Sequence, residues 1–192
     1  MAYEKKNIRT VIEEINRRKI YLPAIQRKYV WDDDQITRLM DSIMLGYPIG
    51  TFLFWKVRKS IINKKEYSMY EFIKDFHERD IYKNPSAPQP FPIGSDEETI
   101  WAVLDGQQRL TSLYIALQGS MSRKLPNKRW KNDDAFPSKE LYLNLHSQRT
   151  DEEDISYEFR FLTQEDAKKQ KDDKLWYLVK DILKYSQDEL ET

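Results

Sequence analysis

Residues 100–119 read IWAVLDGQQRLTSLYIALQG, and this stretch decides the fold. The mostly apolar residues 100–104 predict a buried strand, and Asp105 with Gly106 predicts a sharp turn after it. Apolar residues then recur at helical spacing as far as a cap at Gly119; they are Leu110, Leu113, Tyr114 and Leu117. The stretch therefore predicts a strand, a turn and a helix in immediate succession.

The predicted turn gathers groups that suit a phosphate. A helix N-terminus presents N–H groups and partial positive charge, Gly106 lets the backbone approach an anion, and Arg109 adds a fork of donors. The other candidate phosphate-binding side chains are Gln107, Gln108, Thr111 and Ser112. These groups suggest a nucleotide or nucleic-acid phosphate site. The alternative is that Asp105 only turns the chain and caps the helix, with Arg109 on a solvated face.

Two motifs resemble a known family. Residues 105–112, Asp-Gly-Gln-Gln-Arg-Leu-Thr-Ser, resemble the signature of the N-terminal domain of GmrSD-type restriction endonucleases. Residues 22–31, LPAIQRKYVW, resemble the family's other motif, a Pro, then Gln-Arg, then Tyr-x-Trp. The motifs follow in the family's order, and the match spans most of residues 8–117. The resemblance implies a ParB/sulfiredoxin-like fold whose Asp-Gly-Gln-Gln-Arg turn is linked to nucleotide binding and hydrolysis, in defence against foreign, often modified, DNA.

The first motif contributes Gln26 and Arg27. An arginine in a loop that begins with proline is usually exposed to solvent, but the resemblance implies that Arg27 faces the same pocket as Arg109. Two guanidinium groups at one site would favour a polyphosphate. Tyr29 and Trp31 either stack on a base or pack beneath the loop.

Asp105 and Arg109 are the candidate catalytic residues. The Asp105 carboxylate would hold Mg²⁺ directly or through water, or it would only orient the turn through backbone N–H groups. Both interpretations of Asp105 stay open at this point.

Residues 123–131, RKLPNKRWK, place five basic residues around one tryptophan. Such a loop would bind a nucleic-acid backbone and stack one base. The candidate contacts are Lys124, Lys128, Arg129, Trp130 and Lys131. The alternative is a solvated loop, since Asp133 and Asp134 follow at once.

Composition excludes several classes of chemistry. The chain has no cysteine, which excludes disulfides, thiolate catalysis and cysteine-based zinc sites. Its 32 Lys and Arg balance 32 Asp and Glu, so net charge neither supports nor excludes DNA binding. No apolar run approaches the about 18 residues of a membrane span, and no signal-peptide core is present. We therefore expect a cytoplasmic protein with no membrane partner.

The order of elements predicts a compact α+β domain with a small mixed sheet flanked by helices. The family resemblance implies that this domain is ParB/sulfiredoxin-like. Helices are expected at 7–18 and from Asp32 or Asp33 to Gly46. Strands are expected at 21–22, 51–57, 100–104, 141–145 and 157–161, with 51–57 and 100–104 central. Apolar spacing hints at a helix near 70–76. Residues 84–98 are expected to form an exposed loop, 120–139 an irregular stretch and 164–174 a solvated helix.

A single nucleotide-binding domain is expected over residues 1–192, with its core at about 7–162 and a helical, truncated extension at 163–192. No HNH-like motif occurs in residues 120–192, so DNA cleavage by this chain alone is not expected. The partners implied are a nucleotide, DNA, and a C-terminal nuclease domain or a partner subunit.

The leading hypothesis is that the chain binds a nucleoside triphosphate and hydrolyses it with Mg²⁺ as cofactor, as the regulatory domain of a DNA restriction system. The alternative is a non-catalytic DNA-binding adaptor that uses the same phosphate-binding turn.

Overall fold

The computed structural model describes residues 4–24, 28–65, 67–79, 98–147, 156–169 and 174–185. The helices are α1 (Ile8–Asn16), α2 (Asp33–Met44), α3 (Lys59–Lys65), α4 (Gln107–Gln118) and α5 (Gln164–Lys168). The strands are β1 (Ile20–Pro23), β2 (Leu53–Arg58), β3 (Met69–Tyr70), β4 (Asp75–His77), β5 (Thr99–Asp105), β6 (Ser120–Ser122), β7 (Ser138–Asn144), β8 (Phe159–Leu162) and β9 (Trp176–Leu178). Short 3₁₀ turns lie at Asp133–Ala135 and Val179–Lys184. These helices and mixed sheets confirm the α+β class.

Contacts divide the chain into two units. The first comprises Met1–Lys28, Thr51–Ile73 and Lys83–Gln107, and the second Tyr29–Gly50, Lys74–Tyr82 and Gln108–Thr192. Each unit contains one mixed sheet, where the sequence predicted a single small sheet. The expectation of one domain over residues 1–192 stays a prediction.

The first unit is built on a sheet of order β2-β5-β1-β3, in which β5 lies parallel to β1 and antiparallel to β2. Its core cluster consists of Tyr21, Val57, Ile62, Met69, Ile100 and Ala102. The central position of β5 is confirmed. The central position of β2 is wrong, because β2 pairs only with β5 among the described strands. Leu53 and Trp55 remain 44% and 37% exposed, so the apolar content of β2 does not reflect burial on both sides.

The second unit contains a sheet of order β4-β6-β7-β8, to which β9 adds by pairing with β7. Strand β7 is its centre, and β4 is parallel to β6 while the other pairs are antiparallel. The strands predicted at 141–145 and 157–161 are confirmed as β7 and β8.

Helix α2 shows why part of the second unit could be predicted from the sequence. Asp32 accepts a hydrogen bond from the Gln35 backbone N–H while the Gln35 side chain accepts one from the Asp32 N–H, a capping box. Buried Asp41 on the same helix accepts backbone N–H bonds from Ser156 at 3.1 Å and Tyr157 at 2.7 Å. These bonds hold the segment that leads into β8.

Three sequence-based assignments need correction. Residues 70–76 form no helix, because Tyr70 lies in β3 and Phe76 in β4, each paired with a strand distant in sequence. The stretch 120–139 is not irregular throughout, since it contains β6 and a 3₁₀ turn. The extension at 163–192 is helical only in part, because β9 is a strand bonded to β7. The loop expected at 84–98 lies outside the described residues, apart from Glu98.

Among the described residues, no helix combines the length and the apolar character that crossing a membrane requires.

We expect Gly119→Ala to destabilise the chain. A Cβ at Gly119 would overlap the carbonyl oxygen of Lys74 and lie 2.6 Å from its carbonyl carbon, and a backbone group cannot move aside as a side chain can. Overpacking of this kind lowers the free energy of unfolding by about 1–3 kcal/mol. Urea denaturation measures this change in the free energy of unfolding.

Gly46→Ala is the matched control. Gly46 has φ +73°, but a Cβ there meets no atom within 4 Å, so only backbone strain is added. A loss at Gly119 no larger than the loss at Gly46 would contradict the close approach to Lys74.

Candidate functional site

The strand-turn-helix junction is present where the sequence predicted it. Strand β5 ends at Asp105, Gly106 follows with φ +83°, and α4 begins at Gln107. The left-handed conformation of Gly106 would be strained for residues with a side chain. Asp105 is exposed, whereas Val103 and Leu110 on either side are buried. The turn therefore brings the chain to the surface between two buried segments.

The two glutamines of the turn bind backbone. Gln107 Nε2 donates to the carbonyl oxygen of Val103 at 2.7 Å, which links the start of α4 to β5. Gln108 Oε1 accepts a hydrogen bond from the backbone N–H of Val30 at 3.0 Å. Both amides thus hold backbone segments in this structure.

Arg109 binds a loop. One guanidinium nitrogen, Nη1, donates to the carbonyl oxygen of Ile49, and the group lies against Gly50. A Cβ at Gly50 would overlap Nη1 and lie 3.3 Å from the Arg109 Cζ, so this approach requires glycine there. Arg109 is half-buried and not on a solvated face.

The structure does not present Thr111 and Ser112 to a ligand. Their exposed fractions are 3% and 0%, because α4 is buried from Leu110 to Leu117. The Ser112 hydroxyl is hydrogen-bonded to the Tyr29 hydroxyl at 2.8 Å. Burial therefore leaves these two hydroxyls inaccessible to a phosphate at the turn.

The two sequence motifs meet in this structure. Tyr29 and Val30 of the first motif are bonded to Ser112 and Gln108 of the second. Tyr29 is buried, which raises the pKa of its hydroxyl, and its ring packs edge-on against Phe76 at 5.4 Å. Tyr29 is therefore held inside the protein by Phe76 and Ser112. Gln26 and Arg27 lie outside the described residues.

Arg123 begins the basic loop of the sequence analysis, but in the structure it bonds to residues at the end of the first motif. Its Nε donates to Asp33 Oδ1 at 2.7 Å and its Nη2 to the Trp31 carbonyl oxygen at 2.8 Å. Its guanidinium also lies over the Phe76 ring, 5.1 Å from the centroid. Burial raises the pKa of the Asp33 carboxyl, and the Arg123 charge opposes that rise. Arg123 therefore stabilises the end of the first motif, and no local pattern signals a partner 90 residues away.

The remaining basic-loop candidates separate into two groups. The backbone N–H of Lys124 donates to Glu78 Oε2 at 2.7 Å, and its Nζ donates to the Leu125 carbonyl oxygen at 3.2 Å. The other four are exposed; they are Lys128, Arg129, Trp130 and Lys131.

In the described part of the chain, neither a metal cluster nor the cleft beside β4 and β6 coincides with the turn. Among the described residues, no group of three or more His, Cys, Asp and Glu side chains is placed to hold a metal ion. A cleft of about 490 Å³ lies beside β4 and β6, and it is lined by residues that include His77, Ser120 and Lys180. None of residues 105–112 lines this cleft.

We expect Tyr29→Phe and Ser112→Ala each to destabilise the chain, because each leaves a buried hydroxyl without its partner. The expected loss in the free energy of unfolding is about 1–3 kcal/mol per single variant. The double variant removes both hydroxyls and should lose less than the sum of the single losses. A urea-denaturation double-mutant cycle measures this coupling, and strictly additive losses would contradict it.

Comparison with known proteins agrees with the two motifs. Residues 8–192 match the family described as the N-terminal domain of the GmrSD restriction endonuclease. An uncharacterized protein of Methanocaldococcus jannaschii is 29% identical over 117 residues, covering 61% of this chain. The chain spans only 18% of the length of that relative. Because the family match covers nearly the whole chain, the chain belongs to the GmrSD restriction endonuclease N-terminal domain family.

Proposed function

We propose that the turn at residues 105–109 binds the phosphates of a nucleoside triphosphate, which is hydrolysed with Mg²⁺ in a DNA restriction system. The observation that carries the proposal is the left-handed Gly106 between the exposed end of β5 and the first residue of α4. The family's association with restriction supports the biological setting.

The backbone supplies the first part of a phosphate site. The first four N–H groups of a helix have no acceptor within that helix, and aligned peptide dipoles make this end positive. Helix α4 has 12 residues, long enough for this alignment, and Gly106 adds no side chain that would block an anion. A phosphate would therefore accept hydrogen bonds from consecutive backbone N–H groups.

Arg109 supplies the second part. Its guanidinium lies one turn into α4, held at the Ile49 carbonyl. A hydrogen bond between a guanidinium and a phosphate is charge-assisted and stronger than one to a neutral carbonyl. We therefore assign Arg109 two roles, positioning the loop at residues 49–50 and binding phosphate. The family resemblance adds Gln26 and Arg27 as a second source of phosphate contacts.

Asp105 fits Mg²⁺ when the nucleotide provides most of the ligands. Magnesium in nucleotide sites is commonly held by one or two carboxylates together with phosphate oxygens and water. Asp105 is exposed at the end of β5 and immediately precedes the proposed phosphate site. The ion would neutralise phosphate charge during transfer to water. Asp105 would bind it directly or orient one of its waters.

A nuclease partner completes the proposal. The chain spans 18% of the length of the Methanocaldococcus jannaschii relative, and the family is named after a restriction endonuclease. We propose that DNA cleavage belongs to a C-terminal nuclease domain or partner subunit that nucleotide binding here regulates. A cytoplasmic location, where Mg²⁺ and nucleotides are abundant, forms part of this proposal.

Arg109→Ala should lower nucleotide affinity by about tenfold or more, since hydrogen bonds to charged groups contribute about 1.5–3 kcal/mol. Isothermal calorimetry with a panel of nucleoside triphosphates measures the change. Arg123→Ala is the matched control, because Arg123 also stabilises a loop but lies outside the proposed phosphate site.

Arg123→Ala should lower the melting temperature and leave nucleotide affinity near that of the unmodified chain. Equal affinity losses in the two variants would show that loop support alone explains Arg109. Unchanged affinity in Arg109→Ala would remove Arg109 from the site. Binding of DNA but of no nucleotide would favour the alternative, a non-catalytic DNA adaptor.

Asp105→Asn should separate nucleotide binding from the effect of the metal. Asparagine keeps the size of the side chain and serves a turn equally well, but it lacks the charge that attracts Mg²⁺. Binding in EDTA should persist, while the gain in affinity on adding Mg²⁺ should disappear and phosphate release should fall by orders of magnitude.

The control is Asp134→Asn, which removes a carboxylate from an exposed position in the 3₁₀ turn. It should retain the full response to Mg²⁺. An Asp105→Asn chain that also retains the response would identify Asp105 as a turn former only.

A further inference from the structure

Trp130 is a large aromatic side chain that the fold leaves half in solvent. It is 48% exposed on the segment between β6 and β7. Its ring stands perpendicular to that of buried Phe136, with 5.4 Å between centroids and 89° between planes. One side of Trp130 is thus supported by the protein while much of the ring surface stays open.

The support beneath Trp130 is well anchored. Phe136 is stacked by His77, with 4.9 Å between centroids, and the Arg79 guanidinium lies 5.2 Å from the Phe136 centroid. Arg79 also forms an ion pair with Asp133 at 2.7 Å. These contacts hold Phe136 and the adjacent 3₁₀ turn together.

Backbone hydrogen bonds close the segment that carries Trp130. Leu125 N–H donates to Ala135 O at 2.7 Å, which joins its two ends, and Asn132 N–H donates to Arg129 O at 3.0 Å. Asn127 occupies the left-handed region with φ 60°, where asparagine is among the tolerated residues. A segment ordered before binding loses less entropy when a ligand arrives.

Three exposed basic residues adjoin Trp130 in the sequence. Lys128, Arg129 and Lys131 are exposed, and none of them forms an ion pair with another described residue. Asp133 nearby is bonded to Arg79, which compensates its charge, so Asp134 is the remaining acidic side chain of this segment. The surface at residues 128–131 therefore has an excess of positive charge.

We propose that residues 128–131 form a binding site for an unpaired stretch of DNA. Trp130 stacks on one base, and Lys128, Arg129 and Lys131 bind the phosphates that flank it. An aromatic platform within a positive surface is the arrangement by which proteins bind single strands. A base stacked inside a duplex does not offer its face to the indole, and the restriction family makes DNA the relevant polymer.

Fluorescence anisotropy of a labelled single-stranded oligonucleotide tests the proposal with the full chain. The triple variant Lys128→Ala, Arg129→Ala, Lys131→Ala should bind at least tenfold more weakly at low salt. The salt dependence of its binding should also be shallower, because fewer counterions are released from the DNA.

A second triple variant controls for net charge. Lys5→Ala, Arg17→Ala and Lys168→Ala remove the same charge from exposed residues that do not belong to this segment. This variant should bind the oligonucleotide as the unmodified chain does. An equal loss of binding in both triple variants would overturn the site.

Two substitutions test the stacking. Trp130→Leu keeps an apolar contact with Phe136 but removes the indole face, and it should weaken single-strand binding by about tenfold. Trp130→Phe keeps an aromatic face and should retain most of the affinity. All variants should melt at the temperature of the unmodified chain.

Binding measurements with duplex DNA and with lipid vesicles identify the class of ligand. A blunt duplex of the same sequence should bind more weakly than the single strand and should not respond to Trp130→Leu. Equal binding of duplex and single strand, or a preference for anionic phosphatidylserine vesicles over DNA, would overturn the proposal. Nucleotide binding should be unchanged in every variant of this segment, which separates this proposal from the one for residues 105–109.

Discussion

The burial of helix α4 is the constraint on which the candidate site depends. Every residue from Leu110 to Leu117 is buried, so the polar side chains among them must find partners inside the protein. Ser112 finds one in Tyr29. Because residues 110–117 are enclosed, α4 comes near the surface only at its two ends, at residues 107–109 and at Gln118. A phosphate that binds the positive end of this helix must therefore approach at Gly106 and the residues that immediately follow.

Hydrogen bonds explain why two distant sequence motifs occur together. Gln108 holds Val30, and Ser112 holds Tyr29, so residues of the second motif position the backbone and a buried ring of the first. Arg123, outside both motifs, adds a bond to the Trp31 carbonyl. Gln108 and Ser112 thus stabilise the fold independently of any ligand.

The sequence predicted those elements whose signals are local. Helix α2 follows from its capping box and one apolar stripe, and the β5–Gly106–α4 junction follows from an apolar run, a glycine and a helical repeat. Errors occurred where a partner lies far along the chain. Phe76 resembled part of a helix because its strand has three residues and pairs with distant β6. Nothing local indicates that Arg123 would meet Asp33, or that Thr111 would be buried instead of facing a phosphate.

The bond from Arg109 to Ile49 gives the proposed nucleotide site a physical link to its own loop. The present acceptor is a neutral carbonyl, whereas a phosphate carries negative charge and forms a stronger bond with a guanidinium. Because a guanidinium has five N–H donors, under the proposed function Arg109 binds a phosphate while Nη1 holds Ile49. Gly50 has no side chain to obstruct the guanidinium, and its φ of +83° suits few other residues. One side chain would thereby serve both the proposed phosphate site and the loop at residues 49–50, so a phosphate bound at the start of α4 would be linked to that loop through Arg109.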